Sequence, residues 1–258
     1  MKKEKLTVIK VGGKIVEDAA SLKQLLKDFS KVEGLKLLVH GGGRSATALA
    51  TRMGVETEMI NGRRVTDKDM LEIVTMVYGG LVNKNIVAGL QAIGIDALGL
   101  TGADLNAIRS VKRPATPVDY GFVGDVKEVN AEMLGSFLSM QIVPVMAPLT
   151  HDGEGSLLNT NADTIAGETA KALADRFDVT LVYCFEKKGV LKDEHDDHSV
   201  IRSITPDDFK VLLADEVVKG GMIPKLENAF EAISKGVKEV IITKADDITG
   251  TEGTRIHE

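Results

Sequence analysis

The chain has 258 residues and a formal net charge of -6 at pH 7, and 43% of its residues are hydrophobic. This is enough apolar content for a full core in one large domain or two lobes, and the acidic balance provides no basic field for nucleic acid or a membrane surface. Cys184 is the single cysteine, which excludes an internal disulfide and indicates a reducing compartment. Because we find neither a signal-peptide pattern nor an apolar stretch of about 20 residues, we expect a cytoplasmic protein that binds small molecules. No metal-type spacing of Cys and His occurs, so we expect no protein-bound metal.

Short apolar runs alternate with longer segments of helical period along the chain. The strands are predicted at 6–11, 35–40, 95–100, 142–147, 179–184 and 238–243. The helices are predicted at 18–32, 44–53, 67–92, 130–140, 162–176, 206–214 and 224–236. The strand runs are mostly unbroken, which is typical of a parallel sheet covered on both faces. We therefore predict an α/β fold, a three-layer α/β/α sandwich around a mainly parallel open sheet.

Residues 107–129 interrupt this alternation. They contain two segments with strand character on either side of a loop between Pro114 and Pro117. Strand segments joined by a turn of this kind predict an antiparallel hairpin. We therefore expect an inserted hairpin region beside the main sheet.

Two glycine clusters directly follow predicted strands, Gly12 and Gly13 after the first and Gly41 to Gly43 after the second. A strand that ends in glycine exposes backbone N–H groups, and the N-terminus of the next helix favours an anion. Lys10 lies inside the first apolar strand, where a charge is costly unless an anion meets it. We predict two phosphate cradles here, although a tight turn alone also explains either cluster. Residues 41–46 also fit a loose dinucleotide pattern, without a convincing acidic partner downstream.

Further polar clusters lie along the chain. Arg63 and Arg64 precede a predicted helix whose N-cap is Thr66 or Asp67, and arginine can bind a carboxylate through two hydrogen bonds. Lys225 lies at the start of the last predicted helix, where a cation opposes the helix dipole unless it serves an anion. Asn159, Asn161 and Asp163 occupy alternate positions that lead into the predicted helix 162–176, and they can point into one cleft.

Each of these signals also has an ordinary structural explanation. The arginines and Lys225 could lie on the surface, and Asp163 could simply stabilise the first turn of a helix. His40, at the end of a predicted strand, is interpreted as a hydrogen-bonded core histidine in preference to a catalytic base.

The joint order of these clusters resembles the amino-acid kinase superfamily and, within it, the acetylglutamate kinases. The segments that carry the resemblance are 10–13, 40–43, 61–67, 121–126, 159–164 and 221–225. The resemblance implies the amino-acid kinase fold, with an N-terminal lobe (1–173) that binds N-acylglutamate and a C-terminal lobe (174–258) that binds ATP. It further implies phosphorylation of the γ-carboxylate of N-acetyl-L-glutamate, or of a related N-acyl-L-glutamate such as N-succinyl-L-glutamate, in arginine biosynthesis. It also suggests a homodimer.

The resemblance implies roles residue by residue. Lys10 and Lys225 match the lysines that stabilise the transition state, and Asp163 matches the carboxylate that holds them. The substrate-binding positions are Gly42, Gly43, Arg64 and Asn159. The nucleotide-binding positions are Gly12, Gly13, Asn161, Glu186, Lys188, Gly189, Leu191 and Lys219. Mg²⁺ is implied as the companion of ATP, bound mainly through the nucleotide phosphates, so we assign it no protein ligand.

Two positions depart from the family pattern. Relatives have a small hydroxyl residue and an aspartate where this chain has the run from Phe185 to Lys188. The resemblance therefore does not predict which residues contact the base and the ribose of ATP. Arg63 stands where an aliphatic residue is usual, so it either faces solvent or a neighbouring acid, or it meets the second carboxylate of a succinyl group. Arginine-inhibited members carry an extra helix before the first strand, where this chain has only residues 1–5, so we do not expect feedback inhibition by arginine.

Other function classes stay open at this point. Another member of the superfamily or a non-catalytic ligand sensor on the same fold would retain the pocket. A dinucleotide-dependent oxidoreductase would use residues 41–46 but would leave Lys10, Asp163 and Lys225 unexplained.

Overall fold

The computed structural model describes residues 3–193 and 195–258. The strands, in chain order, are β1 (Lys5–Val11), β2 (Leu35–His40), β3 (Met59–Ile60), β4 (Arg63–Arg64), β5 (Ala97–Leu100), β6 (Ile108–Lys112), β7 (Gly124–Val129), β8 (Val143–Met146), β9 (Leu149–His151), β10 (Leu157–Asn159), β11 (Asp178–Phe185), β12 (Ser203–Ile204), β13 (Glu239–Lys244) and β14 (Thr254–Ile256). The α-helices are α1 (Gly13–Glu17), α2 (Ala19–Ser30), α3 (Gly43–Met53), α4 (Lys68–Val74), α5 (Asn83–Gln91), α6 (Ala131–Ser139), α7 (Ala162–Leu173), α8 (Pro206–Ala214) and α9 (Met222–Ser234). A π-helical segment, Thr75–Val82, joins α4 to α5.

The main sheet has the strand order β12-β14-β13-β11-β1-β2-β8-β5 in the described part of the chain. β1 lies inside it, with β11 and β2 as parallel neighbours on either side. The pair β13 and β14 is antiparallel, whereas the other neighbouring strands are parallel. The predicted α/β class with a mainly parallel open sheet is therefore confirmed. The sheet continues without a break from residues before 173 to residues after it.

Each face of the main sheet packs against its own layer of helices. Side chains alternate along a strand, so β1 directs Leu6 and Val8 to one core and Ile9 and Val11 to the other. The first core includes residues of α6, α7 and α9, and the second includes residues of α2, α3, α4 and α5. Each fully buried aliphatic side chain contributes about 1.5–3 kcal/mol. Lys10 shares the alternation of Leu6 and Val8, and it therefore points into the layer that holds α7.

The inserted region is larger than the predicted hairpin. β6 and β7 pair antiparallel as expected, but they belong to a second sheet with the order β10-β9-β6-β7. β9 and β10 were not predicted, because strands of three residues are too short for an alternating pattern to be recognised. The same reason explains the unpredicted small hairpin of β3 and β4.

The predicted helix at 67–92 is present as one continuous helix, Lys68–Gln91, with the π-helical segment at its centre. By length and composition alone, this helix could cross a membrane. Its sequence is not one continuous apolar stretch, because Asn83 and Lys84 interrupt the apolar residues. A core helix passes the same test, and here the buried side chains of Ile73 and Ile86 pack in the second core. The opposite face exposes Met76 and Leu81.

Candidate active site

The two glycine clusters form one composite turn at the carboxyl ends of β1 and β2. Val11 lies opposite His40 in the parallel pair, so both clusters leave the sheet side by side. The backbone N–H of Gly41 donates to the carbonyl of Val11 at 3.0 Å. A Cβ built at Gly41 would lie only 3.0 Å from the nitrogen of Gly13, and one at Gly13 would lie 3.3 Å from the nitrogen of Gly42. The two predicted cradles are therefore a single surface of backbone groups, which the absence of side chains permits.

Lys10 points from β1 towards the beginning of α7. Its Nζ lies 2.8 Å from Oδ1 of Asp163, and its side chain is only 10% exposed. A buried ammonium group requires a partner of this kind, because burial of an unpaired charge is costly. The contact has the distance of an ion pair but lacks hydrogen-bond alignment. Asn161 fixes Asp163 from the other side, since its Oδ1 accepts from the backbone N–H of Asp163 at 2.7 Å and caps α7.

Lys225 reaches the same place from the first turn of α9. Its Nζ lies 3.7 Å from the centroid of the Phe185 ring, and the Nζ of Lys10 lies 5.3 Å from that centroid, so the two ammonium groups are at most about 9 Å apart. Burial lowers the pKa of Lys225 below its ordinary value, while Asp163 raises it and Lys10 lowers it by smaller amounts. Lysines from the start and the far end of the chain thus converge on one site.

A pocket of about 210 Å³ lies beside the composite turn. All the residues predicted to bind the acylglutamate line it: Gly42, Gly43, Arg64 and Asn159. Asn161, which was predicted on the nucleotide side, also lines this pocket. The pocket therefore combines backbone amides, one guanidinium group and two amide side chains in a small space.

Arg64 is held firmly in the wall of this pocket. It is 9% exposed, and its Nη2 donates to the carbonyl oxygen of Gly43 and to Oγ1 of Thr47, each at 2.8 Å. The two-residue turn of Asn61 and Gly62 places it there, with φ of 50° and 74°, values that suit an asparagine-glycine hairpin. Arg63, the preceding residue, is exposed and lines the same pocket.

Asn159 is anchored from the opposite wall of the pocket. Its Nδ2 donates to Oγ1 of Thr66 at 2.9 Å, and its side chain is mostly buried. Of the two predicted N-caps for α4, Asp67 is the one used, because its Oδ1 accepts from the backbone N–H of Met70.

Comparison with known proteins agrees with this geometry. The sequence model of the amino acid kinase family matches residues 5–244. The chain belongs to the amino acid kinase family. It is 69% identical to the acetylglutamate kinase of Phocaeicola vulgatus and 68% identical to that of Bacteroides thetaiotaomicron, in each case over 254 residues that cover 98% of this chain and 99% of the relative. The solved structure of smu.665 from Streptococcus mutans has a TM-score of 0.80 at 31% identity and 98% coverage of both chains. The resemblance inferred from the motifs is confirmed.

Tyr78 was not predicted in the site of this amino acid kinase. It belongs to the π-helical segment and lines the small pocket, with its ring edge against Gly42. Burial raises its pKa, and the neighbouring Arg64 lowers it by a smaller amount. In sequence it is one apolar-type residue within a long apolar helix, so its periodicity indicates only a core position. π-helical segments occur often at functional sites, but no sequence pattern in 75–82 reveals one.

His40 is a core residue, as the sequence analysis favoured. It is fully buried, its Nδ1–H donates to the carbonyl of Gly41 at 2.7 Å, and its Nε2 accepts from Nδ2 of Asn83 at 3.1 Å. Burial lowers its pKa to about 4, so the ring is neutral at pH 7. It fixes the backbone at the start of the second glycine cluster.

The residues predicted to bind the nucleotide do not all line one pocket, unlike those predicted to bind the acylglutamate. Glu186 lines a cleft of about 670 Å³ together with Gly12 and Gly13, and its Oε1 lies 3.2 Å from Nζ of Lys14 and 3.7 Å from Nη2 of Arg44. The remaining candidates for nucleotide binding are Lys188, Gly189, Leu191 and Lys219. Within the described residues, none of these four lines the cleft or the smaller pocket.

These remaining candidates make contacts within the C-terminal part of the chain. Lys188 pairs with Glu252 at 3.3 Å, and the exposed Lys219 pairs with Glu216 at 3.4 Å. Leu191 forms a bridge with Val200. A Cβ at Gly189 would lie 2.6 Å from Oγ1 of Thr254, so close packing explains this glycine.

Proposed function

We propose that this amino acid kinase transfers the γ-phosphoryl group of ATP to the γ-carboxylate of N-acetyl-L-glutamate, the reaction of its acetylglutamate kinase relatives, in arginine biosynthesis. The observation that carries the proposal is the convergence of Lys10 and Lys225 on the Phe185 ring, beside Asp163 and next to the pocket lined by Arg64.

The chemistry requires positioning and charge, and no general base. A γ-carboxylate with an ordinary pKa near 4.3 is ionised at neutral pH and can attack directly. One of its oxygens forms a bond to the γ-phosphorus, while the bond from that phosphorus to the bridging oxygen breaks and ADP leaves with the electron pair. Lys10 and Lys225 stabilise the negative charge on the transferring group, and Asp163 holds Lys10 in position. This mechanism therefore does not require a catalytic histidine.

The substrate pocket supplies the remaining recognition. Arg64 carries a buried positive charge and binds the α-carboxylate, and Asn159 binds the acylamino group. The backbone amides of Gly42 and Gly43 face the carboxylate oxygens that react. We assign acylglutamate binding to residues 1–173 and ATP binding to residues 174–258, with Gly12, Gly13 and Glu186 lining the cleft towards the nucleotide.

The site suits a magnesium ion that arrives with the nucleotide. Within residues 3–193 and 195–258, no group of three His, Cys, Asp or Glu side chains could hold a metal ion. Lysine and backbone N–H groups are instead partners for phosphate oxygens. When bound with the nucleotide, Mg²⁺ would neutralise phosphate charge, while the lysines and backbone N–H groups of this site would hold phosphate oxygens.

We further propose a homodimer. Met76 and Leu81 on the helix Lys68–Gln91 are 47% and 58% exposed, and β5 is an edge strand of the main sheet. An exposed apolar helix face and an unpaired strand edge are both features that a second copy would cover. In analytical ultracentrifugation, we expect the wild type to sediment as a dimer and Leu81→Lys to sediment as a monomer.

N-Succinyl-L-glutamate is a second candidate substrate. The observation that favours it is the exposed Arg63 on the wall of the same pocket, where it could bind a second carboxylate. The specificity constants for the acetyl and succinyl substrates should be compared in the wild type and in Arg63→Leu. A succinyl preference that Arg63→Leu abolishes supports this substrate, and equal preferences in both proteins eliminate it.

Hydroxylamine trapping tests the proposed function directly. Acyl phosphates react with hydroxylamine to form hydroxamates, so the protein with ATP, Mg²⁺ and N-acetyl-L-glutamate should produce a hydroxamate. If no acylglutamate gives a hydroxamate although it binds, the protein is a ligand sensor. Binding of NAD(P)H in place of ATP would support the oxidoreductase alternative.

A further inference from the structure

Lys225 is held in an unusual way. It lies in the first turn of α9, where the helix dipole disfavours a cation, and it is half-buried. Among the described residues, no carboxylate lies within ion-pair distance of its Nζ. Its close contact is the face of the Phe185 ring, at 3.7 Å from the centroid. An aromatic face attracts an ammonium group at this distance.

The Phe185 ring is itself fixed by its surroundings. Phe185 is the last residue of β11, and its ring stacks on that of Tyr183 with a centroid distance of 5.9 Å and an angle of 20° between the planes. The Tyr183 hydroxyl donates to the carbonyl of Asp163 at 3.2 Å. The side chain of Phe185 is partly buried against the first core. Because Lys10 pairs in register with Tyr183, Phe185 lies two residues further along the same face and presents its ring beside both lysines.

We propose that Phe185 is a positioning residue that holds the ammonium groups of Lys225 and Lys10 at the phosphoryl-transfer site through the face of its ring. This inference rests on the proposed function, since it assigns both lysines to the transferring group. A carboxylate partner for Lys225 would neutralise the charge that the phosphoryl group requires and would add a second anion beside it. An aromatic face orients the ammonium group and leaves its full positive charge available.

Three variants test this role by kinetics. Phe185→Leu keeps an apolar side chain but removes the aromatic face, Phe185→Tyr keeps the face, and Phe209→Leu removes a partly buried ring that contacts Phe230 instead of the two lysines. We expect Phe185→Leu to lower kcat by about 3- to 30-fold without changing the KM for acylglutamate. Phe185→Tyr and Phe209→Leu should retain the wild-type kcat.

A spectroscopic measurement separates this inference from the proposed function. In the NMR spectrum of wild-type protein, the Hε protons of Lys225, assigned with Lys225→Arg, should be shifted upfield by the ring current of Phe185. The shift should persist in Phe185→Tyr and disappear in Phe185→Leu. Absence of the shift in the wild type, or an unchanged kcat in folded Phe185→Leu, overturns the role of the ring while the hydroxamate assay still reports on the activity. If the wild type shows the ring-current shift but forms no hydroxamate, the proposed function is wrong, and the contact between Lys225 and Phe185 has no catalytic role.

Discussion

Gly42 lies against the edge of the Tyr78 ring, and no space for a side chain remains between them. A Cβ at Gly42 would lie 2.9 Å from Cδ1 of Tyr78 and 3.4 Å from Cγ2 of Val82. Tyr78 is 5% exposed, so its ring is packed on nearly all sides and has little space into which it could move. Packing therefore requires a glycine at position 42, in addition to any role of its amide.

Gly42→Ala should be overpacked against Tyr78. We expect a loss of about 1–3 kcal/mol in the free energy of unfolding, measured in urea, and a lower kcat/KM for acylglutamate. Tyr78→Leu removes the ring edge, so Gly42→Ala should cost less in that background. Gly80→Ala is the matched control, because a Cβ at Gly80 meets no atom within 4 Å. Equal costs of Gly42→Ala in both backgrounds would show that the ring is not responsible.

Arg64→Lys should weaken binding of acylglutamate and leave ATP binding unchanged. Lysine retains the charge but cannot donate from one planar group to Gly43, Thr47 and a substrate carboxylate at once. We expect the KM for acylglutamate to rise about 10- to 100-fold, as for the loss of a charged hydrogen bond. Arg52→Lys, at an exposed position, is the control. A rise in the KM for ATP with no change in the KM for acylglutamate would show that Arg64 binds ATP and not the acylglutamate.

The sequence was sufficient to predict the layered α/β fold. The apolar runs 37–39 and 142–147 are unbroken because both faces of these strands are buried, so they can be recognised from the sequence itself. The π-helical segment and the short strands β9 and β10 have no comparable signal. Their conformations are determined by packing against residues far away in the chain, which local periodicity does not report.

The candidate site was only partly accessible from the sequence. Spacing cannot place Lys10 beside Lys225, which lies 215 positions later in the chain, and the resemblance to a family supplied that expectation. The contact of both lysines with Phe185 was missed because the same segment was interpreted only as an unusual nucleotide loop. It could have been anticipated from strand alternation, since Phe185 ends a strand that is the neighbour of the one carrying Lys10.

The buried His40 should make the stability of the protein depend on pH. Its pKa is about 4 in the folded state, compared with 6.5 for an exposed histidine. As the pH falls from 6.5 to 4, the unfolded chain binds a proton that the folded protein excludes, so the free energy of unfolding should fall by about 3 kcal/mol in total.

Urea unfolding between pH 7 and pH 4 measures this effect. His40→Gln should lack the corresponding part of the slope, whereas His198→Gln, at an exposed position, should retain it. The same slope in the wild type and in His40→Gln would contradict the assignment of His40 as a neutral core residue.

Lys10 and Lys225 act on one phosphoryl group in the proposed mechanism, and a double-mutant cycle on kcat measures whether they do. We expect Lys10→Ala and Lys225→Ala each to lower kcat by about 100-fold or more while the circular dichroism spectrum is retained. Because both ammonium groups stabilise the same transition state, the double variant should lose far less than the product of the single losses. Lys127→Ala, at an exposed position, should have the wild-type rate. Near-normal rates for both single variants, or losses that multiply fully in the double variant, would show that the two lysines do not act together on one phosphoryl group.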